Sequence, residues 1–197
     1  MYRNFFKRVI DLLLCILALP IFVLLYIIIG VIIKIEDKGP IFFKAPRIGK
    51  DKKIFYMYKF RSMKVNAPIL LNEDGSTFNS KEDPRVTKIG KFIRETSLDE
   101  IPQILNVLKS EMSIIGPRAS LSEALNTYLN DEVDKMKVHP GITGYTQAFF
   151  RNNISNRDKR VKDAWYANNV SFMLDVKIFF KTIQTVLKRE GVYTNKN

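Results

Sequence analysis

The sequence predicts a mixed α/β (α+β) single domain, joined to an N-terminal membrane helix and carrying amphipathic helices on its surface. Three observations lead to this prediction: an uncharged apolar run at residues 12–33, an alternating aromatic segment at residues 53–60, and helical apolar spacing in the second half of the chain. A chain of 197 residues can bury one core but not two large ones. We therefore expect a membrane helix over residues 1–38 and one folded domain over residues 39–197.

The net charge and the rare residue types limit the chemistry. The formal net charge of +12 attracts polyanions, such as nucleic acid, anionic lipid or phosphorylated substrates, and does not distinguish among them. Cys15 is the only cysteine and His139 the only histidine, which excludes a disulfide framework, a cysteine zinc site and a histidine-rich metal site. Any reaction must therefore rest on carboxylates, lysines, arginines and backbone groups.

The apolar run at residues 12–33 contains no charged residue. As a helix it would extend about 33 Å, which matches the hydrocarbon core of a bilayer, so its length alone favours a spanning helix. Basic residues flank both ends, and each end therefore favours the cytoplasmic side. Pro20, near the middle, removes one backbone hydrogen bond, and a kink there would return the helix to the face that it entered. Both arrangements remain open from the residues themselves.

Two strands, a loop and a helix start follow. Residues 40–43 and 53–60 read as strands, because aromatic and β-branched residues dominate and nearly alternate in the second segment. Residues 66–81 are polar and rich in turn residues, which indicates a loop. Asp83-Pro84 resembles the beginning of a helix, with an N-cap followed by proline at the first helical position.

Three more helices are predicted after that point. Apolar residues at i, i+3, i+4 and i+7 predict an amphipathic helix over residues 101–110, and residues 121–137 read as another helix. The last predicted helix has a basic flank, and Gly191 would cap it. Its apolar stripe would lie either on an anionic membrane or against the core. The stripe consists of Val176, Phe179, Phe180, Ile183, Val186 and Leu187.

An acidic pair, Asp99-Glu100, lies within a basic cluster at the start of the helix predicted over residues 101–110. The pair has a purely structural explanation, because Ser97-x-x-Glu100 matches a capping box and acids suit the first turn of a helix. It also has a functional one. A carboxylate surrounded by cations can attack phosphorus, and a neighbouring carboxylate can hold Mg²⁺. The basic cluster comprises Arg85, Lys88, Lys91, Arg94 and Arg118.

Several motifs in this region resemble those of the bacterial sugar transferases, or monotopic phosphoglycosyl transferases, in the small single-domain form. The similarity extends over nearly the whole chain and follows the order of the family. The chain has no P-loop and no dinucleotide-binding glycine pattern. The motifs are Tyr58-Lys59-Phe60-Arg61-Ser62-Met63, Thr96-Ser97-Leu98-Asp99-Glu100-Ile101-Pro102-Gln103, Met112-Ser113-Ile114-Ile115-Gly116-Pro117-Arg118, Pro140-Gly141-Ile142-Thr143-Gly144 and Arg151-Asn152-Asn153-Ile154-Ser155.

This resemblance implies an activity. Asp99 would attack the β-phosphate of a UDP-sugar, release UMP and carry the phosphosugar until a polyprenyl phosphate, such as undecaprenyl phosphate, accepts it. Glu100, with Asp99, would bind Mg²⁺. The family members most similar in size act on N-acetylated amino sugars, which suggests the same class of donor. The product would be the first lipid-linked intermediate of a surface glycan.

The resemblance also implies roles for further residues and a location. Phosphate contacts would come from Lys59, Arg94, Arg118 and Arg151, and Asp163 is a further candidate site residue. The membrane helix would be re-entrant, bent at Pro20, at the cytoplasmic face of the bacterial inner membrane, with residues 39–197 as the cytoplasmic catalytic domain. Nucleic acid is not an expected partner.

The chain departs from the family pattern at three places. Leu19 replaces a serine that is common before the membrane proline, and Ala119 replaces a proline. Phe149-Phe150 stands where Asn-Gly is common, which changes polarity near the expected site. The alternative hypothesis is a non-enzymatic, membrane-anchored basic module that binds anionic lipid or nucleic acid. That alternative offers no reason for an acidic pair inside the basic cluster.

Overall fold

A computed structural model of the chain describes residues 1–70, 72, 78, 80 and 82–188. A short π-helical turn, Tyr2–Phe6, leads into the first helix. Short 3-10 helices occur at Lys50–Lys52, Leu98–Gln103, Ser122–Thr127 and Val133–Lys137. The helices are α1 (Lys7–Asp37), α2 (Lys88–Glu95), α3 (Ile104–Leu108), α4 (Tyr145–Phe149), α5 (Asn156–Asn168) and α6 (Phe172–Leu187), and the strands are β1 (Phe42–Ile48), β2 (Ile54–Phe60), β3 (Ser113–Ile115) and β4 (Gly141–Thr143).

Helix α1 is a continuous helix of 31 residues that passes through Pro20 without interruption. Among the described residues, α1 with its preceding turn is the one helical segment long and apolar enough to cross a membrane. A single stripe is buried, formed by Asp11, Cys15, Phe22, Ile29, Gly30 and Ile33. The remaining surface exposes large apolar side chains, among them Leu13, Leu17, Ile21, Leu24, Ile28, Val31 and Ile35.

Both ends of α1 are hydrogen-bonded to the folded domain. Near its beginning, Arg8 Nη2 donates to the carbonyl oxygen of Val107 (2.6 Å), and Asp11 accepts a hydrogen bond from Ser113 Oγ (2.6 Å). Near its end, the Glu36 carboxylate accepts from the backbone N–H groups of Lys88 (2.7 Å) and Ile89 at the beginning of α2. Helix α1, about 46 Å long at the standard rise, therefore lies along the domain and not away from it.

Strands β1 and β2 form an antiparallel hairpin in which Phe42 pairs with Phe60 and Ile48 with Ile54. The free edge of β2 is completed by a side chain, because Asn106 accepts from the N–H of Tyr58 (2.9 Å) and donates to the carbonyl of Tyr56 (2.8 Å). Strands β3 and β4 form a separate parallel pair. The hairpin and α1 share the larger core cluster with α2 and α3, and a smaller cluster lies around Tyr166 and Ile178.

The strand prediction for residues 53–60 is confirmed by β2, whereas β1 begins two residues later than predicted and continues to Ile48. The predicted helix start at Asp83-Pro84 is wrong. Asp83 there accepts hydrogen bonds from the backbone and guanidinium of Arg85, and α2 begins only at Lys88, where Thr87 Oγ1 accepts from the N–H of Gly90.

Of the two central helix predictions, one is partly right and the other is wrong. Residues 101–110 divide into the 3-10 helix Leu98–Gln103 and the short α3, because Pro102 cannot donate an interior backbone hydrogen bond. The helix predicted over residues 121–137 is wrong, since the segment forms the two short 3-10 helices Ser122–Thr127 and Val133–Lys137.

The C-terminal helix is confirmed as α6, and its apolar stripe is turned outward. Phe180 is 66% exposed and Leu187 78%, while Asp175, Ile178 and Thr185 form the buried side. The outcome favours the surface alternative over packing against the core. The predicted cap Gly191 lies outside the described residues, as do residues 71, 73–77, 79 and 81 of the predicted loop.

Candidate active site

The acidic pair lies in the 3-10 helix Leu98–Gln103, and it does not cap a helix. Ser97 has a left-handed backbone conformation (φ 58°), and its side chain makes no capping hydrogen bond. The capping box that Ser97 and Glu100 suggest is therefore not formed, although both acids do lie in the first turn of the 3-10 helix. Asp99 is buried and Glu100 half-buried.

Lys59, at the end of β2, is the cation in closest contact with the pair. Its Nζ lies 2.6 Å from Glu100 Oε1 and 3.9 Å from Asp99 Oδ2. The hairpin brings it there, because β2 packs against the 3-10 helix that carries both acids. Glu100 is thus hydrogen-bonded to an ammonium group, whereas Asp99 is close to that charge without a direct hydrogen bond to it.

Arg118 reaches the pair from the turn after β3. Its Nη1 lies 3.8 Å from Glu100 Oε1, and its side chain is 54% exposed. The turn is fixed by close backbone packing, since a Cβ on Gly116 would lie 2.4 Å from the carbonyl oxygen of His139. This packing holds the backbone that precedes Arg118 in one conformation.

Asp163 lies behind Arg118 and has no contact with the acidic pair. Its buried carboxylate accepts from the backbone N–H of Arg118 (3.0 Å), Thr146 Oγ1 (2.8 Å) and Lys135 Nζ (3.3 Å). Lys135, also buried, donates in addition to Ser120 Oγ at 3.2 Å. Asp163 is therefore placed to hold the Arg118 turn, and Lys135 is a supporting residue that the sequence reasoning missed.

Arg94 and Arg151 influence the acidic pair electrostatically from two other parts of the chain. Arg94, in the last turn of α2, lowers the pKa of Asp99, and Arg151, after α4, lowers the pKa of Glu100. Nη1 of Arg94 is buried and has no hydrogen-bond partner among the described residues. Arg85 of the predicted basic cluster is not at the pair, because it forms an ion pair with Asp83 (2.5 Å).

The two carboxyl groups have opposite pKa shifts. Burial raises the pKa of Asp99, and the negative charge of Glu100 raises it further, against the opposing effect of Lys59. Lys59 and Arg118 together outweigh burial at Glu100 and hold its pKa below the ordinary range. Glu100 is the more firmly ionised member of the pair, and Asp99 is the more weakly paired one.

The carboxylates at the site decide whether the expected Mg²⁺ could bind there. In the part of the chain that is described, no three His, Cys, Asp or Glu side chains lie close enough to form a protein-only metal site. Mg²⁺ commonly binds through one or two carboxylates, substrate phosphate oxygens and water. Asp99 and Glu100 fit that kind of site, although Glu100 would have to exchange its contact with Lys59 for the metal.

Arg47, on β1, is a further cation at the site that the sequence reasoning missed. Burial lowers its pKa to about 10, the positive charge of Arg118 lowers this pKa as well, and the negative charges of Glu123 and Glu100 oppose both effects. Its Nε is buried without a hydrogen-bond partner among the described residues. The register of β1 with β2 places Arg47 on the face of the hairpin that carries Lys59. A predicted β1 that extended to residue 47 would have indicated this position.

Comparison with known proteins shows the family to which the chain is similar. The family model described as bacterial sugar transferase matches residues 2–189. The chain is 37% identical to the undecaprenyl-phosphate galactose phosphotransferase of Salmonella typhimurium, over 96% of this chain and 42% of that protein. It is 40% identical to an Aeromonas hydrophila UDP-N-acetylgalactosamine-undecaprenyl-phosphate N-acetylgalactosaminephosphotransferase, over 95% of this chain and 45% of that protein.

A third relative has nearly the same length. The chain is 39% identical to the uncharacterized sugar transferase EpsL of Bacillus subtilis, over 94% of this chain and 89% of that protein. By contrast, the chain spans less than half the length of the Salmonella and Aeromonas proteins. The match to the family model covers the hairpin, the acidic pair and the Arg118 turn, and the chain belongs to the bacterial sugar transferase family.

Proposed function

We propose that this protein is a phosphoglycosyl transferase that moves a sugar 1-phosphate from a UDP-sugar to a polyprenyl phosphate, such as undecaprenyl phosphate, and releases UMP. The observation that carries the proposal is the position of Asp99, a buried carboxylate without a direct hydrogen bond to Lys59, under the influence of three cations, Lys59, Arg94 and Arg118. Such a group can attack a phosphorus atom, while the cations stabilise charge on the phosphates. The names of the Salmonella and Aeromonas relatives describe this kind of transfer.

In the first step, an Asp99 carboxylate oxygen forms a bond to the β-phosphorus of the UDP-sugar. The bond between that phosphorus and the oxygen bridging to the α-phosphorus breaks, and UMP leaves with the bridging oxygen and its electron pair. Lys59 and Arg118, which lie near both the acidic pair and the developing charge, stabilise the transition state electrostatically. Asp99 then carries the phosphosugar as an acyl phosphate.

In the second step, a phosphate oxygen of the polyprenyl phosphate attacks the same phosphorus. The bond to Asp99 breaks, the carboxylate is restored, and a polyprenyl-diphosphate sugar is released. Both substrates are polyanions, which is consistent with the net charge of +12. Mg²⁺ held by Glu100, Asp99 and substrate phosphates would supply further neutralisation of the pyrophosphate charge.

The acceptor lipid requires a site at a membrane surface, and α1 supports such a location. Its outer face is apolar, yet both of its ends are hydrogen-bonded to the same domain through Arg8, Asp11 and Glu36. A helix held in this way cannot carry one end across a bilayer while the domain stays on one side. We therefore favour insertion from a single face, the cytoplasmic face of the bacterial membrane, with Pro20 as the site of bending.

The names of two relatives bear on the donor sugar. The Aeromonas relative is named for an N-acetylated amino sugar and the Salmonella relative for galactose. We favour an N-acetylated amino sugar, in a pathway that assembles a surface glycan. A panel containing both classes of UDP-sugar tests this choice directly.

The decisive experiment measures nucleotide release by the detergent-solubilised chain with UDP-sugars, Mg²⁺ and undecaprenyl phosphate. We expect UMP from the wild type, none from Asp99→Asn, and loss of release after chelation of Mg²⁺. The control variant Asp51→Asn removes an exposed carboxylate outside the site and should keep full activity. Release of UDP would contradict phosphosugar transfer. Binding of lipid or nucleic acid without nucleotide release by a folded protein would favour the basic-module alternative.

A further inference from the structure

The hairpin places Arg47 on the same face as Lys59. Directly paired residues of an antiparallel ladder share a face, and so do residues two apart along a strand. Arg47 pairs with Phe55, and Phe55, Met57 and Lys59 follow one another on that face of β2. Phe55 and Met57 are buried, and Lys59 reaches Glu100, so this face is turned towards the acidic pair.

The segment after Arg118 runs along the free edge of β1. The N–H of Ile48 donates to the carbonyl of Ser120 (3.0 Å), and Arg47 forms a β-bridge with Leu121. Arg118 is only two residues before Ser120, and the backbone therefore holds the two arginines close to each other. Glu100 also acts electrostatically on both of them.

The positive charges of Arg47 and Arg118 oppose each other, and Glu123 and Glu100 act on Arg47 with the opposite sign. Glu100 already accepts a hydrogen bond from Lys59 Nζ at 2.6 Å, and its separation from Arg118 is 3.8 Å. Arg47 forms no ion pair with a carboxylate among the described residues, and its buried Nε has no partner there. Buried guanidinium nitrogens are normally hydrogen-bonded, and a planar guanidinium is well suited to a phosphate.

The cations differ in the acid on which they act. Lys59 and Arg118 act on both acids, Arg94 acts on Asp99, and Arg47 and Arg151 act on Glu100. In phosphoryl transfer the attacking and leaving oxygens lie roughly in line, so the leaving group departs on the side opposite the nucleophile. With Asp99 as the nucleophile, a cation that acts on Glu100 and not on Asp99 is the better candidate to bind the departing phosphate.

We propose that Arg47 binds the α-phosphate of the UDP-sugar and of the departing UMP, together with Arg118. This role rests on the proposed function and makes it more specific, because it assigns one cation to the leaving group. Arg47 does not contact the phosphosugar that remains on Asp99. It therefore contributes to binding of donor and UMP and not to transfer to the lipid.

The test compares Arg47→Gln and Arg47→Lys with the wild type in the UMP-release assay. The control Lys44→Gln removes one charge from the opposite face of the same strand, where Lys44 lies over the Tyr58 ring. We expect Arg47→Gln to raise the KM for the UDP-sugar and the inhibition constant for UMP about tenfold or more. Inhibition by uridine, which lacks the phosphate, should not change, and Arg47→Lys should recover part of the UMP affinity.

The lipid half-reaction separates this role from a structural one. Phosphosugar-enzyme formed with a labelled donor and freed of nucleotide should transfer to polyprenyl phosphate at the wild-type rate in Arg47→Gln. Equal UMP inhibition of wild type and Arg47→Gln would refute the role of Arg47 while leaving the transferase function intact. Loss of the lipid half-reaction or a lowered melting temperature would likewise refute it. A wild type that releases no UMP would remove both proposals.

Discussion

At the scale of single residues, Asp163 is a residue that the family resemblance indicates as part of the site without indicating its role. The carboxylate is bonded to the backbone of Arg118, to Thr146 and to Lys135, and none of these contacts faces the acidic pair. We interpret Asp163 as a positioning residue for the Arg118 turn. Its loss should affect both stability and activity, whereas loss of a substrate-contacting residue should affect activity alone.

We therefore predict that Asp163→Asn lowers the melting temperature together with kcat. The change leaves the buried Lys135 ammonium without its counter-ion, which costs about 3 kcal/mol, and each kcal/mol corresponds to roughly 2–4 °C in a chain of this size. The double variant Asp163→Asn/Lys135→Met removes both charges and should regain stability without regaining full activity. Calorimetry and the UMP assay check this. Unchanged stability in Asp163→Asn would instead point to direct contact with substrate.

The residues at the candidate site were predictable to different degrees. The acidic pair, Lys59 and Arg118 belong to local motifs, and these motifs were sufficient to predict them as site residues. Arg47 was missed because its place at the site depends on the register of β1 with β2, and the predicted strand ended at residue 43. Lys135 was missed because its partner Asp163 is distant in sequence, and nothing local indicates that a lysine is buried.

At the scale of elements, the spacing of apolar residues correctly predicted those strands and helices whose own residues determine their structure. Strand β2 and helix α6 follow their patterns, whereas residues 121–137 do not form the predicted helix. There Glu132, almost fully buried, accepts from the N–H of Leu129 and pairs with Arg157 and Arg160 of α5. These tertiary contacts outweigh modest helix propensity. The three-residue strands β3 and β4 were not predictable, because only their pairing distinguishes them from a loop.

Helix α2 carries Arg94 towards Asp99, and its position depends on Gly90. A Cβ at residue 90 would lie 1.9 Å from the carbonyl oxygen of Ser62, which is backbone and cannot move aside easily. We predict that Gly90→Ala destabilises the protein by about 1–3 kcal/mol, the usual range for overpacking, and weakens activity by displacing Arg94.

Gly30 provides the control for that substitution. A Cβ on Gly30 would meet a flexible side-chain end, Ile41 Cδ1, at 3.0 Å, so Gly30→Ala should be tolerated far better than Gly90→Ala. Denaturation in detergent and the UMP assay give both comparisons. Equal effects of the two substitutions would contradict the close approach of α2 to Ser62.

At the scale of the whole molecule, two apolar surfaces meet near the beginning of α1. Tyr2 Oη and Lys7 Nζ both bond to Asp175 of α6 at 2.7 Å, and the Tyr2 ring packs edge-on against Phe172. The exposed apolar side chains of α6 thus continue from the apolar face of α1. Lysines at positions 177 and 188 flank the α6 stripe, as in helices that lie on anionic bilayers.

This arrangement predicts that α6 lies in the lipid interface beside α1. Because Cys15, the only cysteine, is buried, an environment-sensitive dye can be attached selectively to a new surface cysteine. In vesicles that contain anionic lipid, dyes on Ile21→Cys in α1 and Leu187→Cys in α6 should both shift to the blue. Leu129→Cys is the matched control, because Leu129 is 55% exposed but is followed by Asn130 and Asp131. A blue shift at residue 21 without one at residue 187 would confine the membrane contact to α1. Shifts at residues 21 and 187 but not at 129 would place α1 and α6 together at the lipid interface.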